Sequence, residues 1–273
     1  MTELFVDTLG SADSTISLVP LHGPGLDHTC FRPWLDPLAT HCQLVFFDQR
    51  LNGRSPRTSP IVPTLEVLAD DVVNIARRRC QGKVVLVGHS FSAWTALAVA
   101  AQHGGAIDGI VLTAPGLSPS VGETLLEHLR QHAGDEVMQL VVDAFQGGVT
   151  TDAMFGDIWR RVLPWYVTAN VAEIESRLFR ETRFSIAGFQ TFVAQAAGRL
   201  DFAAVLEQLP CPLLVVAGAN DWLERDAHGG SGAIARLAPR SAFVAIENSG
   251  HFPFAEQREV FCATVTGWMR DRL

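Results

Sequence analysis

The segment Val84–Ser92 constrains the fold of this chain more than any other stretch. It begins with four aliphatic residues, continues through Gly88 and one further residue to Ser90, and ends with Ser92 where a second glycine is usual. A run of helix-forming residues, Ala93–Ala100, follows directly. A strand, a tight turn around a serine and a helix in this order form a nucleophile elbow. The pattern therefore predicts a buried strand that ends by exposing the hydroxyl of Ser90.

Short apolar runs alternate with helical patterns along much of the chain. The predicted strands are Thr15–Val19, Leu44–Phe47, Val84–Val87, Gly109–Thr113, Leu213–Ala217 and Ala242–Ile246, and the predicted helices between and after them are Thr64–Arg79, Ser92–Gln102 and Glu256–Arg270. Several strands are apolar on both faces, so we expect an α/β fold with a mostly parallel, doubly wound sheet covered by helices. Ligands of such sheets bind at the carboxyl ends of the strands. Residues that directly follow a strand are therefore the candidates for function.

The alternation stops between about Leu117 and Leu200. Only helical patterns are visible there: Gly122–Gln131, Asp135–Phe145, Asp157–Val167, Val171–Phe179 and Phe184–Ala197. We therefore predict an α/β core of residues 1–116 and 201–273, with an inserted helical cap over residues 117–200.

Composition excludes several classes of protein. The chain has 273 residues and a formal net charge of -8, which disfavours nucleic acid and anionic membrane surfaces as partners. Its five cysteines are scattered and form no C-x-x-C pair, so neither a disulfide framework nor a metal site is expected. The first residues do not resemble a signal peptide, and no run approaches the ~18 apolar residues of a membrane span. We expect a cytoplasmic monomer or homodimer that acts on a small molecule without a cofactor.

An acid and a histidine follow the last two predicted strands. Asp221 comes four residues after the fifth predicted strand, and His251 lies in a loop rich in glycine and proline after the sixth. With Ser90 they give the order serine, acid, histidine, in which the acid orients the imidazole and the imidazole activates the hydroxyl. Glu224 and Asp226 are rival acids, but Asp221 is nearer to its strand end. The predicted catalytic residues are therefore Ser90, Asp221 and His251.

Two further segments carry a resemblance. Leu21–Gly25 and Phe47–Ser55 are similar to the H-G-G-P-G and D-Q-R-G-x-G-x-S segments of proline iminopeptidase-like hydrolases. With the elbow and the residue order, the chain resembles the α/β-hydrolase fold superfamily over nearly its whole length. The resemblance implies a serine hydrolase that works through an acyl-enzyme. It also implies that His22, Asp48 and Arg50 fix loops beside the elbow rather than react.

The oxyanion loop departs from the family pattern by one glycine. An oxyanion hole needs two preorganised N–H donors, and the first is expected at Phe91, the residue after the nucleophile. The second is usually supplied by the residue after His-Gly, which here is Pro24 and has no N–H. Gly23 is therefore predicted as the second donor, with Gly25 as the alternative.

Aromatic residues of the cap predict an apolar pocket above Ser90. Four tryptophans are expected to line it: Trp94 and Trp222 from the core, and Trp159 and Trp165 from the cap. The spacing of Trp159 and Trp165 departs from the W-x-x-W-E string of proline iminopeptidases, so exopeptidase activity is not predicted. Glu173, Glu175 and Glu181 are candidates for an amine site, although charged helix residues are usually solvated.

Three functional hypotheses follow. The leading one is hydrolysis of an ester or amide of a small, mainly apolar substrate. The second is carbon–carbon bond hydrolysis on the same triad. The third is a hydrolase-like protein that binds a small molecule without catalysis, which the proline in the oxyanion loop favours.

Overall fold

A seven-stranded sheet forms the centre of the molecule in the computed structural model, which describes residues 3–117, 121–196, 200–224 and 230–273. The strands are β1 (Val6–Leu9), β2 (Ile16–Leu21), β3 (Gln43–Phe47), β4 (Lys83–His89), β5 (Gly109–Thr113), β6 (Leu213–Gly218) and β7 (Ser241–Ile246), in the spatial order β1-β3-β2-β4-β5-β6-β7. Strand β1 pairs antiparallel with β3, and every other pair is parallel. The predicted mostly parallel α/β sheet is confirmed, and β1 is an additional edge strand.

Helices cover both faces of the sheet. They are α1 (Leu65–Arg79), α2 (Ser92–His103), α8 (Phe202–Glu207), α9 (Ser231–Leu237), α10 (Pro253–Glu256) and α11 (Arg258–Arg272). Side chains of β4 point alternately to the two faces, so Val84 and Leu86 join the core under α1 and α2, whereas Val85 and Val87 join the core under α11. This double burial explains why β4 is apolar without interruption from Val84 to Val87.

Among the described residues, six helices lie between β5 and β6, and we refer to the first five of them as the inserted helices. They are α3 (Val121–His132), α4 (Asp135–Gln146), α5 (Asp152–Tyr166), α6 (Val171–Glu181) and α7 (Ile186–Ala196). Helix α5 begins five residues before its predicted start because the Thr151 side chain caps it by accepting the N–H of Met154 at 3.2 Å. Among the helices that the structure describes, none is long and apolar enough to cross a membrane.

Candidate active site

The turn from β4 into α2 holds Ser90 in an unusual backbone conformation. Its φ angle is +55°, in the left-handed region that non-glycine residues rarely adopt. Two residues earlier, a Cβ atom on Gly88 would lie 3.0 Å from the Cα of Ala93, so only glycine fits without displacing α2. The strain and the close approach together are what a nucleophile elbow requires.

Ser92 stands where a second glycine is usual in such an elbow, and its hydroxyl both accepts and donates a hydrogen bond. Its Oγ accepts the backbone N–H of His89 at 2.8 Å and lies within hydrogen-bonding distance of the carbonyl oxygens of Leu21 and His89. The single hydroxyl proton goes to one of these two carbonyls. Because Leu21 ends β2, the hydroxyl connects the elbow to the loop that continues to Gly23.

A continuous chain of hydrogen bonds joins the three predicted catalytic side chains. His251 Nε2 lies 3.0 Å from Ser90 Oγ, and its Nδ1 lies 2.7 Å from Asp221 Oδ2. The other oxygen of Asp221 accepts the N–H of Leu223 at 3.1 Å, which fixes the carboxylate. His251 and Asp221 are buried, whereas Ser90 is half-buried. This arrangement can transfer a proton from Ser90 to a His251 imidazole that Asp221 orients.

A second histidine, His89, forms a hydrogen bond with the backbone of His251. His89 Nε2 lies 2.9 Å from the carbonyl oxygen of His251, so this nitrogen is the donor and carries the proton. Burial, together with the nearby His251, lowers the pKa of His89 to about 3. The imidazole of His89 is therefore neutral at physiological pH and acts as a hydrogen-bond donor to the loop rather than as a base.

Two backbone N–H groups near Ser90 are available as donors, one from the loop after β2 and one from the elbow. Gly25 donates its N–H to Asn52 Oδ1 at 3.0 Å, so this alternative donor is occupied. The N–H groups of Gly23 and Phe91 have no acceptor among residues 3–117, 121–196, 200–224 and 230–273. Both residues line the cavity that contains Ser90. This geometry supports Gly23 over Gly25 as the second oxyanion donor.

His22 is held by the neighbouring loop. Its Nδ1 donates to the carbonyl oxygen of Gly23 at 2.9 Å, and its Nε2 accepts the N–H of Gln49 at 3.0 Å. Burial lowers the pKa of His22, which keeps the ring neutral. The ring therefore fixes the loop that carries Gly23, and both of its nitrogens are already engaged.

Asp27, His28 and Asp48 form the one group of potential metal ligands found among the described residues. Asp48 accepts hydrogen bonds from His28 Nδ1 at 2.7 Å and from the N–H of Arg54 at 2.7 Å. Burial alone would raise the pKa of Asp48, but the hydrogen bonds that it accepts lower it below its usual value. Since its oxygens are satisfied by protein donors, the cluster is a structural network that shapes the loop.

An apolar cavity of about 270 Å³ opens above Ser90. Its floor contains Gly23, Ser90, Phe91, Trp94 and His251, and the inserted helices supply Leu125, Val141, Phe145, Phe155, Ile158, Trp159, Val162, Tyr166, Phe189, Phe192 and Val193. No Asp, Glu, Lys or Arg side chain lines it within the part of the chain that the structure describes. The cavity thus suits a small, uncharged, apolar group.

The four predicted pocket tryptophans divide into two pairs. Trp94 and Trp159 line the cavity, whereas Trp165 and Trp222, which were also predicted to line it, do not. Trp222 donates its indole N–H to the carbonyl oxygen of Trp165 at 2.6 Å and stacks on the His128 ring at 3.8 Å, which turns it toward the outer surface. Trp165 is 36% exposed.

The glutamates considered for an amine site lie elsewhere. Glu173, Glu175 and Glu181 are on α6 and do not line the cavity, and two of them pair with Arg177 on the same helix.

Among the site residues that were not predicted from the sequence, three carry polar side chains that merit description. They are Asn52, which holds Gly25; Tyr166, which lines the cavity; and Glu256, which binds the loop around His251. Glu256 and Tyr166 lie at helix ends, where polar residues are common, so no local pattern distinguishes them. Asn52 lies inside the D-Q-R-like segment, and its place in that loop was the available signal.

Comparisons with known proteins agree with the fold. A provisionally named carbamate hydrolase, RutD, from Caulobacter sp. (strain K31) is 26% identical over 78% of this chain and 76% of its own length. Proline iminopeptidase from Clostridioides difficile (strain 630) is 24% identical over 92% of this chain and 89% of its own length. The structure of a thermophilic esterase from Thermogutta terrifontis superposes with a TM-score of 0.76 at 24% identity, covering 99% of this chain and 94% of that chain. The profile of the alpha/beta hydrolase family matches residues 18–264, and the chain belongs to this family.

Proposed function

We propose that this protein is a serine hydrolase that cleaves an ester or amide of a small, mainly apolar carboxylic acid through an acyl-enzyme. The observation that carries the proposal is the hydrogen-bond chain Asp221–His251–Ser90, which ends in an apolar cavity. Hydrolase activity follows from the family, and the identity of the nucleophile and the substrate class are the proposed part.

The geometry supports a defined sequence of proton transfers. With Nδ1–H donated to Asp221, His251 presents the lone pair of Nε2 to the Ser90 hydroxyl and takes its proton as Oγ attacks the acyl carbon. The N–H groups of Gly23 and Phe91 stabilise the oxyanion. His251 then protonates the leaving group, which departs and leaves the acyl group on Ser90. A water molecule, activated in the same way, releases the acid.

The cavity supports the substrate class. Its volume of about 270 Å³ lies just below the usual range for small-molecule sites, and its described lining offers no Asp or Glu to an ammonium group and no Lys or Arg to a carboxylate. The names of the similar proteins include an esterase, a proline iminopeptidase and a carbamate hydrolase. Hydrolysis of an ester, a peptide bond or a carbamate moves an acyl group from oxygen or nitrogen to water.

Labelling and turnover test the proposal together. A fluorophosphonate probe is expected to label the protein and not its Ser90→Ala variant. Hydrolysis of p-nitrophenyl acetate and butyrate is expected only from proteins that retain Ser90. Ser11→Ala, which alters an exposed loop serine, is the matched control. Absence of labelling with unchanged turnover in Ser90→Ala would refute the proposal. Turnover of a vinylogous diketone without turnover of either ester would assign carbon–carbon cleavage instead.

A further inference from the structure

Glu256 is a buried carboxylate beside the histidine loop that the proposed reaction does not use. Its residue is 3% exposed, at the end of the short helix α10. A buried carboxylate is costly unless hydrogen-bond donors surround it. Among the described residues, the donors around Glu256 are backbone N–H groups and one hydroxyl, not the cation of an ion pair.

One set of these donors flanks His251 on both sides. The N–H of Gly250 lies 2.9 Å from Oε1 and 3.0 Å from Oε2 of Glu256, and the N–H of Phe252 lies 3.1 Å from Oε1. Between them, the N–H of His251 donates to the carbonyl oxygen of Tyr166 at 2.7 Å. The backbone N–H groups of residues 250, 251 and 252 are therefore all held by hydrogen bonds to Glu256 and Tyr166.

The other set comes from the connection between α5 and α6. Glu256 Oε2 accepts hydrogen bonds from the N–H of Thr168 at 2.7 Å and from the Thr168 hydroxyl at 3.0 Å. It also accepts one from the N–H of Ala169 at 3.0 Å. Asn170 adds a hydrogen bond from Nδ2 to the backbone carbonyl oxygen of Glu256 at 3.0 Å. One carboxylate thus joins the inserted helices to the loop that carries His251.

We propose that Glu256 is a positioning residue, whose carboxylate holds the backbone of His251 at the correct distance from Ser90 and couples it to the α5–α6 connection. The inference rests on the proposed function, because it assigns Glu256 a role in that reaction. His251 Nε2 lies 3.0 Å from Ser90 Oγ, so a backbone shift of about 1 Å breaks this contact, and such a misplacement can cost about 100-fold in rate.

The test compares Glu256→Gln with Glu259→Gln, which alters an exposed glutamate at the start of α11. An amide keeps the size of the side chain but replaces one acceptor oxygen by an NH2 group that faces N–H donors. We expect Glu256→Gln to lower kcat for p-nitrophenyl acetate by about 10- to 100-fold with KM nearly unchanged, and Glu259→Gln to leave both unchanged.

A spectroscopic readout separates positioning from general loss of structure. The proton on His251 Nδ1, shared with Asp221, gives a low-field proton resonance that does not depend on turnover. We expect this resonance to shift or broaden in folded Glu256→Gln and to stay in place in Glu259→Gln. Should Glu256→Gln fail to fold, Thr168→Val removes only one hydroxyl donor and is expected to lower kcat by a smaller factor.

The two proposals fail in different ways. Wild-type kcat and an unmoved resonance in Glu256→Gln, or in Thr168→Val where that variant is needed, would overturn the positioning role. The same holds if activity falls only in proportion to the unfolded fraction. Failure of the unaltered protein to label or turn over ester would instead refute the proposed function, while the resonance would still report on the position of His251.

Discussion

Replacing Ser92 by alanine tests whether the hydroxyl at this position maintains the elbow. The hydroxyl accepts the N–H of buried His89 and donates to a carbonyl oxygen of Leu21 or His89. Ser92→Ala removes both interactions, and the cavity it leaves is too small and too enclosed for the lost groups to be rehydrated easily.

The magnitude follows from these two losses. A buried N–H without an acceptor costs about 1–3 kcal/mol, and the lost hydroxyl hydrogen bond adds about 1 kcal/mol. We therefore expect the free energy of unfolding of Ser92→Ala to fall by about 2–4 kcal/mol. We also expect kcat to fall, because the hydroxyl connects the elbow to the strand end that leads to Gly23, a proposed oxyanion donor.

Urea unfolding followed by tryptophan fluorescence measures the change, with Ser11→Ala as the control that stays within about 0.5 kcal/mol of the unaltered protein. Ser92→Gly restores the residue usual in this family yet loses the same hydrogen bonds, so it is expected to be no more stable than Ser92→Ala. The reasoning is refuted if Ser92→Ala unfolds at the same urea concentration and with the same slope as the unaltered protein.

Three further predictions address the rest of the site. Asp221→Asn is expected to lower kcat about 10,000-fold, measured by ester hydrolysis, because the amide favours the wrong imidazole tautomer. Below about pH 6.5 the unfolded chain protonates His89 while the folded protein, with a pKa of about 3, does not. Stability should therefore fall by about 1.4 kcal/mol per pH unit down to about pH 3 through this group, and His89→Gln should show a shallower decline in urea unfolding across that range. Gly25→Ala is expected to lose about 1–3 kcal/mol, since φ is +80° and its Cβ would lie 2.5 Å from the Phe155 ring, whereas Gly267→Ala, with open space around it, should not be destabilised in the same assay.

The sheet was predictable because its strands are buried on both faces. Strand β1 was not, because Val6–Leu9 is a four-residue edge strand with two adjacent polar residues at its centre, so it shows neither an apolar run nor an alternating pattern. The start of α5 was missed for another reason. The helix begins with the polar cap of Thr151, whereas the predicted boundary followed the apolar periodicity that starts later.

Part of the candidate site was also predictable from the sequence, and part was not. The order of Ser90, Asp221 and His251 sufficed to select three side chains that the structure brings into contact, because parallel strands end at one edge of the sheet. Glu256 was not predictable, because its partner Thr168 is 88 residues away and that contact depends on how the inserted helices pack. Trp222 was assigned to the wrong surface because nearness in sequence to Asp221 does not determine where an indole ring points.

The apolar lining of the cavity also bears on how the proposed reaction ends. A neutral ester or amide enters without losing strong hydration, but the acid it yields ionises at neutral pH. The described lining contains no lysine or arginine to compensate a carboxylate, so the apolar part of the cavity stabilises the ionised product less than water does. Ionisation of the acid therefore favours its release from the cavity, and little product inhibition by the acid is expected.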